Sequence, residues 1–186
     1  TRILRDPQFV KEFMSEVSVG MTSMFRDAEL WTALKRKMMI EFKRTQSLNI
    51  WHAGCSTGEE VYSLGVLLHE QNLRSRASAI ATDFNEHAIT EARLGIYHKL
   101  KMIENAAAYK KVTSYRDLAT YYEEVDGNHV KMNRQLVSHV DFRCHNLITD
   151  AFPGGFDLIF CRNVMIYFDV PTKRRLLEQF YHALNP

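Results

Sequence analysis

Residues 54–60 read GCSTGEE, two glycines and two adjacent carboxylates at the end of an apolar run. That set of residues narrows the ligand such a loop can hold. Gly54 and Gly58 let a ligand lie against the backbone, but a phosphate loop of the form G-x-x-x-x-G-K-[ST] needs a lysine where Glu59 stands. A phosphate-holding cysteine loop needs an arginine six residues after Cys55, and the residue there is Val61. The G-x-S-x-G nucleophile elbow is absent as well. Two glutamates at a helix start repel the pyrophosphate that a helix dipole otherwise attracts. A cationic, phosphate-free nucleoside fits better, and S-adenosylmethionine has that character through its ammonium and sulfonium. The competing reading is that Glu59 and Glu60 only stabilise a first helical turn.

Asp83 ends a second apolar run, where a carboxylate can accept hydrogen bonds from both hydroxyls of a ribose. Alternatively, Asp83 or Asn85 caps the helix that follows. Farther on, FCRNVMIYF (160–168) clusters Arg162, Asn163 and Tyr167, and Arg26 lies in MTSMFRD near the N-terminus. An arginine fork makes paired hydrogen bonds to a carboxylate. A carboxylate is already ionised at neutral pH and needs no general base to accept a methyl group. Orientation and exclusion of water would then carry the reaction. The alternatives are a structural ion pair for Arg162 and core packing for Tyr167.

These residues need elements to position them, and apolar periodicity supplies candidates. Helices are predicted over 27–44, with Leu30, Leu34 and Met38 on one face, and from Glu59, with Val61, Leu64, Gly65 and Leu68 recurring. Further helices are predicted over 85–97 and over 172–184, the latter with Leu177, Phe180, Tyr181 and Leu184 facing one way. Strands are predicted over 48–53, 77–82, 140–146 and 156–163, with a looser stretch to about 114. In YYEEVDGNHVKM (121–132), Asp126 and Gly127 mark a tight hairpin. Strands alternating with helices imply an α/β fold with a parallel sheet covered on both faces. Such sheets bind ligands beyond the carboxyl ends of their strands. The hairpin reads as a small inserted antiparallel β element over about 115–138.

A chain of 186 residues, 46% hydrophobic, can bury one domain core. Residues 1–15 lack a signal-peptide core and no apolar stretch suits a membrane span, so the expected location is the cytoplasm. Cys55, Cys144 and Cys161 are odd in number and widely spaced, which argues against a disulfide framework. The eight histidines form no pair at metal-ligand spacing, so no metal site is expected. A net charge of +2 gives no sign of a nucleic-acid partner. The basic run KRKMMIEFKR (35–44) reads as a solvated amphipathic face.

The segments MTSMFRD (21–27), WHAGCSTGEEVYSL (51–64), ATDFNEHAITEARLGIY (81–97), FRCHNL (142–147) and FDLIFCRNVMIYFD (156–169) together resemble the catalytic domain of the CheR family, the chemotaxis receptor methyltransferases. The resemblance implies a Rossmann-like methyltransferase sheet over 1–186, with residues 1–26 as a linker segment over the cofactor. It further implies methyl transfer from S-adenosylmethionine, leaving S-adenosylhomocysteine, to glutamates on the cytoplasmic helical bundle of chemoreceptors, by a monomeric enzyme not inserted in the membrane. Carried over by position, it makes Thr22, Arg26, Gly54, Glu59, Asp83, Asn146, Leu147, Arg162 and Asn163 cofactor contacts. Glu59 would meet the amino acid end, Asp83 the ribose, and Asn146 with Leu147 the adenine. Arg26, Arg162 and Tyr167 would form the catalytic group, with Tyr167 placing the glutamate. Of these, Thr22, Asn146 and Leu147 rest on the resemblance alone. The sequence departs from the family at Gly20, where an asparagine is usual. It also lacks most of the small N-terminal helical domain and the final strand. The short VDGNHV loop predicts no tight pentapeptide tether. Methylation of another carboxylate substrate, or cofactor binding without turnover, is the alternative function.

Overall fold

A computed structural model of the chain describes residues 22–42 and 45–186, without the side chain of Met39. Gly20 and most of the segment read as a linker lie outside these residues. The central sheet has four strands: β1 (Leu48–Ala53), β2 (Ala77–Asp83), β6 (Val140–Cys144) and β7 (Leu158–Phe160), in the order β6-β2-β1-β7. All neighbours are parallel, with Ile50 opposite Ala79 on one side and Leu158 on the other. The expected α/β fold with a parallel sheet is therefore present.

Side-chain alternation along β1 divides the core. Ile50 joins the larger cluster, with Trp31 and Leu67, whereas Trp51 and Ala53 join the smaller one, with Leu176 and Phe180. Helices α1 (Ala28–Ile40) and α2 (Glu59–Glu70) contribute to the larger cluster, and α5 (Val170–Ala183) to the smaller. The buried stripe of α1 runs through Trp31 and Met38 with Leu34 half-buried, while Leu30 is exposed. On α5 the buried residues are Leu176, Phe180 and Ala183, so Leu177, Tyr181 and Leu184 do not face the core as the spacing suggested. Two apolar stripes lie side by side on that helix, and the sheet takes the one whose Phe180 reaches the Trp51 ring at 5.4 Å.

The predicted helix over 85–97 is shorter, because α3 spans Glu86–Leu94 and stops at Gly95. Gly95 is left-handed at φ 63° and donates its N–H to the Glu91 carbonyl, a glycine C-cap. Residues after it form β3 (Ile96–His98), which pairs antiparallel with β5 (His129–Met132). The stretch read as loose is α4 (Lys99–Val112), with the His98 side chain accepting from the Leu100 N–H at its start. Its buried face is Met102, Asn105, Tyr109 and Val112. The polar Asn105 broke the apolar period and hid that helix.

The hairpin is present as β4 (Tyr122–Glu124) and β5, closed by Asp126 accepting from the amides of Asn128 and His129 at 2.7 and 2.8 Å. Because β3 completes this sheet in the order β3-β5-β4, the antiparallel element begins upstream of residue 115. Among the described residues no helix is long and apolar enough to cross a membrane.

Candidate active site

The loop from β1 to α2 is built on alternating backbone signs, with Gly54, Ser56 and Gly58 at φ 78°, 50° and 88°. Each glycine is required by a neighbouring element of the fold. A Cβ on Gly54 would lie 2.3 Å from the Val164 Cγ2 after β7, and one on Gly58 would lie 2.9 Å from the Ala92 Cβ of α3. The loop thus holds β1 against β7 and α2 against α3 at the carboxyl edge of the sheet. Among the described residues Ser56 is one of five non-glycine residues with positive φ, and Phe25, Asp27 and Asn163 of the same set are also at this edge. Such backbone costs about 1–3 kcal/mol per residue and persists only where the surroundings dictate it.

Asp83, at the end of β2, accepts from the Ser56 N–H at 2.8 Å and from the Asn85 N–H at 3.0 Å. Asn85 is the cap of α3, accepting from His87 and Ala88. The two capping possibilities therefore fall to different residues: Asn85 caps the start of α3, and Asp83 ties the glycine loop to β2. Burial raises the Asp83 pKa, opposed by those same amide hydrogen bonds. Each carboxylate oxygen has further acceptor capacity, as ribose recognition requires.

Glu59 is 1% exposed. Its Oε2 accepts from the Thr57 hydroxyl at 2.6 Å, while its Oε1 has no hydrogen-bond partner among the described residues. Burial pushes its pKa up, more than the Thr57 hydrogen bond lowers it. A buried, unsatisfied carboxylate oxygen is costly and is relieved by a cationic donor. The ammonium of the cofactor's amino acid end would supply that donor, so Glu59 fits the group. It borders a cleft of about 550 Å³ with Ser56, Thr57, Asn85, Tyr97 and Lys101. Cys55 is buried, and burial together with Asp83 holds its thiol well above the ordinary value, which leaves little thiolate for nucleophilic chemistry.

Outside that cleft, on the Glu60 side of α2, the contacts are ionic. Arg162, past the end of β7, places Nη1 3.1 Å from Glu60 Oε2 and Nη2 3.2 Å from the Arg26 carbonyl, and also pairs with Asp27. The structural ion-pair alternative for Arg162 is therefore realised, and its fork is turned to two carboxylates of the protein. Arg26 and Tyr167 are exposed, Tyr167 at 73% rather than packed in the core, and Thr22 is half-buried. Asn163 is exposed at φ 58°. Asn146 is exposed and uses its side-chain oxygen on the Ile148 N–H, whereas Leu147 is buried in the smaller core cluster.

The structure brings Arg26, Arg162 and the glycine loop together through Glu60. It brings Asp83 to the loop through Ser56. Glu59 faces a cleft that Arg162, Asn163 and Tyr167 do not line. Sequence reasoning missed Asp27 as a partner of Arg162, as well as Ser63 and Asn105, which accept from the Phe25 and Met24 amides at 2.9 and 3.0 Å. These contacts link residues 38 to 135 positions apart, and no local pattern announces them. Among the described residues no cluster of His, Cys, Asp or Glu could hold a metal ion.

The fold is shared with solved methyltransferases. The chain superposes on the DszA carbon methyltransferase with TM-score 0.52 and 14% identity, covering 99% of this chain and 39% of that one. It superposes on the glycopeptide N-methyltransferase MtfA, solved with sinefungin, with TM-score 0.51 and 9% identity, covering 91% and 49%. These superpositions show a shared fold, a Rossmann-like parallel sheet. Residues 20–186 match the family model described as CheR methyltransferase, SAM binding domain. A Pseudomonas putida protein called Cher3 is 36% identical over 98% of this chain and 67% of its own length. The chemotaxis protein methyltransferases of Listeria monocytogenes and Escherichia coli are 30% and 32% identical, over 97% and 94% of this chain and 66% and 59% of theirs. The chain belongs to the CheR methyltransferase family and spans about two thirds or less of the length of these relatives.

Proposed function

We propose that this domain transfers the methyl group of S-adenosylmethionine to glutamate side chains on the cytoplasmic helical region of a chemoreceptor, forming glutamyl methyl esters. The observation that carries this reading is a buried Glu59 whose Oε1 has no hydrogen-bond partner among the described residues, with exposed Arg26 and Tyr167 side chains and the Arg26 carbonyl held by Arg162. The relatives named chemotaxis protein methyltransferase supply the substrate class.

In this reading Glu59 accepts from the ammonium of the cofactor and Asp83 from the ribose hydroxyls. Asn146 and Leu147 flank the adenine, and Gly54 and Asn163 border the methionine portion with Thr22. When bound, the cofactor supplies an electrophilic methyl whose bond to sulfur breaks as its electron pair returns to sulfur. The exposed cation at Arg26 attracts the acceptor carboxylate, and the Tyr167 hydroxyl orients it by hydrogen bonding. Arg26 and Tyr167 would thus hold one carboxylate oxygen toward the methyl group that the cofactor would supply. No residue has to remove a proton, so the protein contributes charge, orientation and exclusion of water. The domain acts in the cytoplasm as a monomer, on protein and without nucleic acid.

The test is incubation of the purified protein with labelled cofactor and a receptor cytoplasmic fragment, followed by alkaline hydrolysis. Volatile labelled methanol supports the ester. Label that stays on the protein after base, or none at all, sinks the reading.

A further inference from the structure

We propose that Asp27, Arg162 and Glu60 form a positioning clamp for residues 22–27, and that Arg162 therefore does not bind the acceptor carboxylate. The proposal rests on the transferase reading above and refines the role of one group in it.

Arg162 lies between two carboxylates, Glu60 on α2 and Asp27 at the start of α1, and also donates to the Arg26 carbonyl. The side chains of Arg162 and Glu60 are 20% and 16% exposed. Two carboxylates around one guanidinium leave the triad with a net negative charge. A third carboxylate arriving there meets repulsion.

The contacts of the clamp converge on the residues flanking the Arg26 side chain. The Arg26 carbonyl also accepts from the Trp31 indole N–H at 2.9 Å. Trp31 stacks on Phe160 of β7 at 5.9 Å, and Phe160 stacks on His52 at 4.8 Å. The Nδ1 of His52 lies 3.5 Å from Glu60 Oε1, closing the ring of contacts. Upstream, Ser63 and Asn105 hold the Phe25 and Met24 amides. Phe25 and Asp27, on either side of Arg26, are both left-handed, at φ 57° and 60°. Backbone of that kind persists where its surroundings over-determine it, and the ion triad supplies the determinant on the Asp27 side. Arg26 is thereby aimed by its neighbours on both sides. Asp27 and Glu60 are positioning residues.

The experiment compares the protein with Asp27→Asn, Glu60→Gln and Asp27→Glu. It measures S-adenosylhomocysteine affinity by calorimetry, kcat and KM for a receptor fragment, and amide hydrogen exchange over residues 24–31. A misaimed group of this kind costs on the order of tenfold or more in rate. Asp27→Asn and Glu60→Gln should each lower kcat by about tenfold while acceptor KM and cofactor affinity change less than about twofold. Exchange over 24–31 should rise by about tenfold, with the β1 amides unchanged. Asp27→Glu should restore most of the rate. Unchanged kcat and exchange would overturn the clamp. So would a lower acceptor KM in Asp27→Asn, because that result makes Asp27 a competitor for a substrate-binding Arg162. If the unsubstituted protein binds S-adenosylhomocysteine but transfers no methyl, the failure belongs to the functional reading, and the exchange data still decide the clamp.

Discussion

The two sides of the first turn of α2 are held by different physics. On the Glu59 side the contacts are hydrogen bonds of buried residues, Glu59 and Tyr97: Thr57 to the Glu59 carboxylate and the Tyr97 hydroxyl to the Thr57 carbonyl at 2.8 Å, with Gly58 packed on Ala92. On the Glu60 side they are ion pairs in a partly wetted place, running through Arg162 to Asp27, whose side chain is 65% exposed. Adjacent residues of the same type thus do unlike work. Burial makes Glu59 a poorly satisfied anion waiting for a cation, and partial exposure makes Glu60 a satisfied one that holds a second segment in place.

The most disruptive change to this comparison would remove the loop that joins both sides. Gly54→Ala should cost roughly 1–3 kcal/mol for a left-handed alanine and roughly 1–3 kcal/mol more for the clash with Val164. Chemical denaturation would measure it, and a loss below about 1 kcal/mol would show that the β7 loop yields easily.

Next in size is Asp83→Ala, which strips an acceptor from the Ser56 and Asn85 amides. Stability and S-adenosylhomocysteine affinity should each fall by about 1–3 kcal/mol. Calorimetry showing unchanged affinity would remove Asp83 from the cofactor site while leaving its role in the loop intact.

A pH series sharpens the contrast further. A carboxyl whose pKa is raised on folding binds its proton more tightly in the folded state. Its contribution to stability is full below the ordinary value of 4.5 and is lost as pH rises through the raised value. The unfolding midpoint of the ligand-free protein should therefore fall as pH climbs above that range. Glu59→Gln should flatten the fall, leaving the part due to Asp83, which is raised in the same direction. A Glu59→Gln curve parallel to that of the unsubstituted protein would contradict the assignment.

Salt gives the smallest effect. Screening acts on the Arg162–Asp27 pair, whose Asp27 side chain is 65% exposed, and little on the hydrogen bond of buried Glu59, so high salt should destabilise the protein by less than about 1 kcal/mol. In Asp27→Asn that loss should shrink, whereas in Glu59→Gln it should persist.

Much of the scaffold was legible in the sequence because its signals are local. The strand Leu48–Ala53, the helix start at Glu59 and the Asp126-Gly127 hairpin each follow from a short pattern of apolar period or turn residues. The helix α4 was not legible, since Asn105 sits on its buried face to serve the Met24 amide, a partner 81 residues away. The α5 stripe was misassigned because Leu176 and Leu177 begin equally apolar rows, and only the aromatic cluster around Trp51 chooses between them. The site shows the same division. Glu59 at the start of α2, Asp83 at the end of β2 and Arg162 past β7 lie where residue type and the predicted elements put them. That Arg162 would spend its fork on Asp27 and Glu60 depends on a separation of 135 residues and on a left-handed turn no motif marks.

The central claim is a carboxylate-directed methyl transfer aimed by Arg26. The most direct measurement is mass spectrometry of a receptor cytoplasmic fragment after incubation with the cofactor and the purified protein or its Arg26→Ala variant. The account predicts base-labile methyl esters on glutamate residues with the unsubstituted protein, and their near loss in Arg26→Ala while S-adenosylhomocysteine still binds. Methylation at a nitrogen, or equal esterification by both proteins, would contradict it.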